Sequence, residues 1–142
     1  MDSVPSFTDK MLLELARDVR VKAHAPYSNF TVGAACLGGS GIAYFGCNVE
    51  NASYPVGVCA ERVAVASAIS HGESKITILA LAGGPRNLPP LGNVLPCGMC
   101  LQFMSEFMDS DARVLVSDGI DKVVEFTMGQ LLPHGFKIAE NG

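Results

Sequence analysis

The chain has 142 residues, 49% apolar and 17% charged, enough for one hydrophobic core and too few for two ordinary domains, so residues 1–142 are read as one domain. Ten scattered Lys and Arg against fourteen Asp and Glu give a net charge of −4, which excludes a surface for a phosphate backbone, and so a polynucleotide partner, while leaving a small neutral ligand open. The start lacks a cationic, apolar leader, and no window nears about 18 consecutive apolar residues, so the expectation is a soluble, cytoplasmic protein without a membrane partner.

In a reducing compartment the five cysteines read as core thiols or metal ligands, not as a disulfide framework. The apolar surplus points to a buried subunit interface.

Between Phe7 and about Val21, Met11, Leu12, Leu15, Ala16 and Val19 recur at helical spacing, with Thr8 or Ser6 available as the cap. After a turn at Ala25-Pro26-Tyr27-Ser28, the segments Phe30 to Leu37 and Ile42 to Val49 are rich in strand formers. Gly38-Gly39-Ser40-Gly41 separates them, which predicts an antiparallel hairpin. Asn48 to Gly57 reads as a loop, and Cys59 opens a helix running to Ser70. Ile76 to Ala82 is a continuous apolar strand bounded by Gly83-Gly84-Pro85.

A loop with four prolines, Pro85 to Pro96, leads to a helix over Cys97 to Met108, with Cys97 and Cys100 in its first turn. Ala112 to Ser117 and Lys122 to Met128 form two more strands about Asp118-Gly119, and Met128 to Leu132 is one short helical turn. Strands alternating with helices predict a three-layer α/β/α sandwich with a five-stranded mixed sheet. The hairpin makes one edge antiparallel, and the strand-helix-strand-helix-strand run is parallel through right-handed crossovers.

Ligand sites of parallel α/β sheets lie at the carboxyl ends of strands, where the following helices begin. Cys59 starts one helix and Cys97 and Cys100 start another, so their sulfurs can converge on a soft or borderline cation such as zinc. Three protein ligands leave a fourth position open for water, as in a catalytic site. A closed structural site would need a fourth ligand, for which His71 and Glu61 are the nearest candidates. Glu61, two residues past Cys59 and not needed as a ligand, can lie beside that water and carry its proton.

Cys59-Ala60-Glu61 followed by Pro96-Cys97-Gly98-Met99-Cys100 resembles the all-cysteine form of the zinc deaminase pattern. Together with Tyr27 to Ala35, Asn48 to Tyr54 and Leu131-Leu132-Pro133, the chain is similar to the small, free-nucleoside cytidine deaminases from about Pro26 to Phe136. That resemblance implies a cytidine-deaminase-like catalytic domain with one zinc per subunit on Cys59, Cys97 and Cys100. It implies that Glu61 takes a proton from the water and delivers it to the ring nitrogen and the departing ammonia, turning cytidine into uridine. Asn48 and Glu50 match positions that bond the ribose hydroxyls, the Ala60 backbone one that reads the base, and Phe30 one that lines the pocket. Phe136 resembles an aromatic that reaches a neighbouring subunit's site in a homotetramer.

Three thiolates and a hydroxide outweigh the charge of zinc, so something positive must offset them: helix N-termini, and Arg62, whose family counterpart bonds to thiolates. Where the family usually has Ser before Pro-Cys-x-x-Cys and Arg-Gln after it, this chain has Leu95 and Leu101-Gln102. Deamination of a cytosine-containing antibiotic or modified nucleoside, or a catalytically silent zinc protein that binds nucleosides, are the alternatives. Cys36 and Cys47 read as core residues, and His24, His71 and His134 as surface or capping residues.

Overall fold

The computed structural model describes residues 7–138. Helix α1 (Asp9–Arg20) begins where Thr8, in an extended conformation, accepts a hydrogen bond from the Met11 amide at 3.1 Å. That bond satisfies a first-turn donor, so the helix starts after Thr8 and not at Phe7. Ser6, the other expected cap, lies outside the described residues.

Strands β1 (Phe30–Gly38) and β2 (Ala43–Cys47) form the expected antiparallel hairpin, with Ala35 opposite Phe45. With β3 (Ile76–Pro85), β4 (Arg113–Asp118) and β5 (Lys122–Thr127) they make a five-stranded mixed sheet in the order β2-β1-β3-β4-β5. β3 and β4 are parallel; β1 is antiparallel to both its neighbours, and β5 to β4. β2, β3 and β4 thus point the same way, as the crossovers predict, but β1 lies between β2 and β3. Burial explains this placement: Ala34, Ala35 and Cys36 of β1 are all fully buried, whereas Phe45 of β2 is half exposed and suits an edge.

β3 runs three residues past the boundary expected at Ala82, because Gly83, Gly84 and Pro85 pair with Val32, Thr31 and Phe30. The loop that follows folds back on this extension, and the Leu91 amide donates to the Gly83 carbonyl at 2.8 Å. Backbone approach, not a turn, is the use made of these glycines.

Helix α1 covers one face of the sheet, packing Leu12 and Ala16 against Ala35, Ala80 and Leu115. Helices α2 (Ala60–Ser70) and α3 (Gly98–Ser105) cover the other, where Ala64, Ala68 and Met104 share a core with Leu79, Leu81 and Val114. The short α4 (Met128–Leu131) is closed by a reciprocal capping box between Thr127 and Gln130. α2 sits almost on the backbone of β2: a Cβ on Gly46 would fall 2.6 Å from Val63 Cγ1 and 2.8 Å from the Ala64 nitrogen. That contact sets where α2 begins relative to the carboxyl end of β2. Among the described residues no helix is long and apolar enough to cross a membrane.

Candidate metal centre

Cys59 and Cys97 are one step outside the helices, as the N-caps of α2 and α3, with extended backbones at φ −77°, ψ 153° and φ −70°, ψ 170°. An N-cap side chain ordinarily accepts from the first-turn amides of its helix; neither sulfur does so, and both remain available to a metal. Cys100 is the third residue of α3 and fully buried. N-cap and third-residue side chains face each other across the first turn, the geometry of a capping box. The Cys-x-x-Cys spacing therefore brings the Cys97 and Cys100 Sγ atoms to 3.6 Å.

Cys59 completes the cluster, with all three sulfurs within 4.8 Å of one another. Thiolates arranged tetrahedrally at zinc distance stand about 3.8 Å apart, so the set fits zinc in both spacing and donor chemistry. It is the one such group among the described residues. His71, a candidate for closing the site, instead caps the far end of α2, its Nδ1 2.7 Å from the Ser67 carbonyl.

The sulfurs share charge unequally. Hydrogen bonding with Cys100 pulls the Cys59 thiol down to about 6, helped by Cys97 and the positive Arg62 against the cost of burial. The same bond, then burial, pushes Cys100 upward, as expected where one thiolate is held by its neighbour's S–H.

Glu61, second residue of α2, is only 5% exposed. Burial, with a smaller contribution from Cys59, pushes its carboxyl up to about 7 against the pull of its own backbone N–H and Cys100. A group balanced there at neutral pH can both take up and release a proton.

Ala60 between them is fully buried. Arg62 donates Nη1–H to Met99 Sδ at 3.2 Å and lies 5.8 Å over the Phe103 ring. Its expected hydrogen bonds to the thiolates are not what the structure contains; its charge reaches Cys59 through space. Two α3 side chains facing α2 occupy the guanidinium instead, while Leu101 is buried in the core.

Beside Cys59 opens a cavity of about 420 Å³, whose wall includes Tyr27, Ser28, Asn48, Glu50 and Tyr54. Val49 and Val58 exchange both backbone hydrogen bonds at 2.9 Å, and this bridge closes the loop that carries Glu50, so that Asn48 and Glu50 share the cavity wall with Cys59. Asn48 accepts from the Val32 amide at 2.8 Å and donates to the Phe30 carbonyl at 2.9 Å, which leaves one amide hydrogen and one lone pair free. Glu50 accepts from the Tyr27 and Ser28 amides at 3.0 and 3.2 Å and from the Ser28 hydroxyl. These bonds, that of the Ser28 hydroxyl foremost, hold its carboxyl below the usual range, so it is an ionised, fixed acceptor at neutral pH.

Tyr27, Ser28 and Tyr54 have no individual role in the sequence reading, yet they build the wall, the two tyrosine rings meeting edge-on at 6.0 Å. The available signal was an aromatic beside the Pro26 turn, in a loop facing another tyrosine-bearing loop. Phe30, half-buried at the start of β1, and Phe136, 71% exposed, stand outside that wall.

Residues 7–117 match the family described as the cytidine and deoxycytidylate deaminase zinc-binding region. The chain belongs to that family. It is 37% identical over 128 residues to the cytidine deaminase of Sporosarcina psychrophila, covering 90% of each chain. It is likewise 37% identical to that of Halalkalibacterium halodurans over 127 residues, 89% of this chain and 92% of the other. The crystal structure of cytidine deaminase from Burkholderia pseudomallei superposes with a TM-score of 0.81 at 40% identity, covering 91% of this chain and 99% of that one. That from Mycobacterium tuberculosis does so at 0.75 and 34%, covering 92% and 99%. As a member of the deaminase family the chain is a zinc enzyme, and the three-cysteine cluster is where its residues suit that metal.

Proposed function

We propose that this protein hydrolyses cytidine and deoxycytidine to uridine and deoxyuridine with release of ammonia, as a homotetramer in the cytoplasm, in pyrimidine salvage. One observation carries the reading: a three-sulfur cluster, with the buried Glu61 two residues past Cys59, opens at Cys59 onto a cavity furnished with fixed polar groups.

Cys59, Cys97 and Cys100 hold the metal. Zinc bound there supplies a Lewis acid that makes water a nucleophile near neutral pH. Glu61 accepts a proton from that water as oxygen bonds to C4 of the base. It would return that proton to the ring nitrogen, and the proton of the new C4 hydroxyl would then pass by way of Glu61 to the amino group, so that the C4–N bond breaks, C4 becomes a carbonyl and ammonia leaves. The buried first turn of α2 keeps bulk water from Glu61 and presents the Ala60 backbone to the base. Asn48 and the ionised Glu50 offer a donor and acceptors to the ribose hydroxyls, and the preorganised bonds to β1 and the Tyr27-Ser28 turn hold them in place. Phe30, outside the wall around Cys59, bears on the site through its carbonyl, which holds the Asn48 amide, and Arg62 offsets part of the thiolate charge. Phe136 completes the pocket of a neighbouring copy.

The test is loss of cytosine absorbance when zinc-loaded protein meets cytidine or deoxycytidine, with Glu61→Gln alongside and particle mass from light scattering. Conversion by the wild type and its loss in Glu61→Gln are expected. No conversion overturns the reading, and an equally active Glu61→Gln removes the proton-transfer role. A monomeric mass overturns the tetramer.

A further inference from the structure

We propose that Gln102 is a positioning residue: it holds the C-terminal segment so that Phe136 is presented to the pocket of a neighbouring copy of this chain. The inference rests on the reading of Phe136 given above and adds the group that aims it.

Gln102 lies on α3, two residues past Cys100. Its side-chain amide donates Nε2–H to the Phe136 carbonyl at 2.8 Å and accepts from the Phe136 N–H at 3.0 Å. Two parallel bonds from one planar amide to the backbone of one residue act as a strand partner would, and fix the peptide in both position and rotation. Among the described residues 133–138 these are the only hydrogen bonds, and the segment has no helix or strand of its own.

The Phe136 ring is nevertheless 71% exposed and Ile138 80% exposed. A backbone fixed by two hydrogen bonds thus presents an aromatic ring that the described residues leave largely uncovered, a ring suited to burial against a second copy. Because Gln102 shares a rigid helical turn with Cys100, the direction of Phe136 is set by the same element that carries two of the three sulfurs. The tail of one copy is thereby held in register with that copy's own metal helix.

The experiment compares zinc-loaded wild type with Gln102→Ala, Gln102→Glu, Phe136→Ala and the Gln102→Ala/Phe136→Ala double variant. It measures kcat and KM for cytidine, zinc content and hydrogen exchange at the Phe136 amide. Gln102→Ala is expected to raise KM about tenfold with kcat within about twofold, the scale of losing one or two net hydrogen bonds. Zinc content stays unchanged and protection at Phe136 is lost. Gln102→Glu, which keeps the acceptor and loses the donor, falls between. The double variant matches Phe136→Ala, since a positioning residue has nothing left to position.

If Phe136→Ala raises KM while Gln102→Ala does not, or if the two effects add, the inference is overturned. A loss of thermal stability in Gln102→Ala with KM and exchange unmoved also overturns it. A Phe136→Ala variant with wild-type KM overturns the role of the ring in a partner's site and the inference with it. If the wild type does not convert cytidine the functional reading fails, and exchange at Phe136 still decides whether Gln102 holds the tail.

Discussion

Glu61 illustrates how burial and chemistry are coupled in one side chain. Its carboxyl is raised from 4.5 to about 7 chiefly by desolvation, so the folded protein keeps a proton that the unfolded chain has released. A raised carboxyl stabilises the fold below about pH 4.5, and that contribution is lost as pH rises through about 7. Glu61→Gln has no charge to bury. In zinc-stripped protein it is expected to gain on the wild type across that window and to hold a margin on the order of 3 kcal/mol above it. Urea unfolding at a series of pH values measures the difference, and a pH-independent offset would mean that burial is not the cause. In zinc-loaded protein the same substitution lowers kcat by about a hundredfold or more, the scale of general acid–base catalysis. For Arg62 the structure changes the grounds of the expectation: with Leu101 buried and the guanidinium on Met99 and Phe103, its effect on Cys59 is through-space charge. Arg62→Gln is expected to weaken zinc affinity about tenfold, as loss of an outer-shell partner does, in competition with a chelating dye. An unchanged affinity would assign charge compensation to the helix ends alone.

At the level of elements, the site depends on where α2 and α3 start. The Cys-x-x-Cys spacing and the helical pattern after it made the Cys97–Cys100 pair legible, because N-cap and third-residue geometry is local. The N-cap placement of Cys59 depends in addition on the close seat of α2 on β2 at Gly46. Gly46→Val forces the helix off the strand. It is expected to cost about 1–3 kcal/mol as an overpacking change and to reduce bound zinc below one per chain. Denaturant unfolding and metal analysis check both; full zinc occupancy with only a stability loss would show that the Cys59 position tolerates the shift. The extension of β3 through Gly83 to Pro85 was not legible, because glycine and proline mark turns in sequence while here they admit a returning loop.

For the molecule as a whole, metal binding and folding are one equilibrium, since the two cysteine-bearing helix ends meet only in the folded chain. Chelation is therefore expected to lower thermal stability, and zinc at a hundredfold excess over its Kd to restore about 2.7 kcal/mol. A melting curve indifferent to zinc would mean that the cluster is held together without it. The spacing of Cys59, Glu61, Cys97 and Cys100, the helices that follow Cys59 and Cys97, and the hairpin are properties of short segments, so the sequence alone determined them. Only the tertiary structure decided that β1 inserts between β2 and β3, and that, with Val49 bridged to Val58, Asn48 and Glu50 share a cavity wall with Cys59. It likewise decided that Arg62 rests on Met99 and that Gln102 grips Phe136. Each of these joins segments distant in the chain or on different elements, and which of them meet is set by the burial of the whole core, which no local pattern encodes.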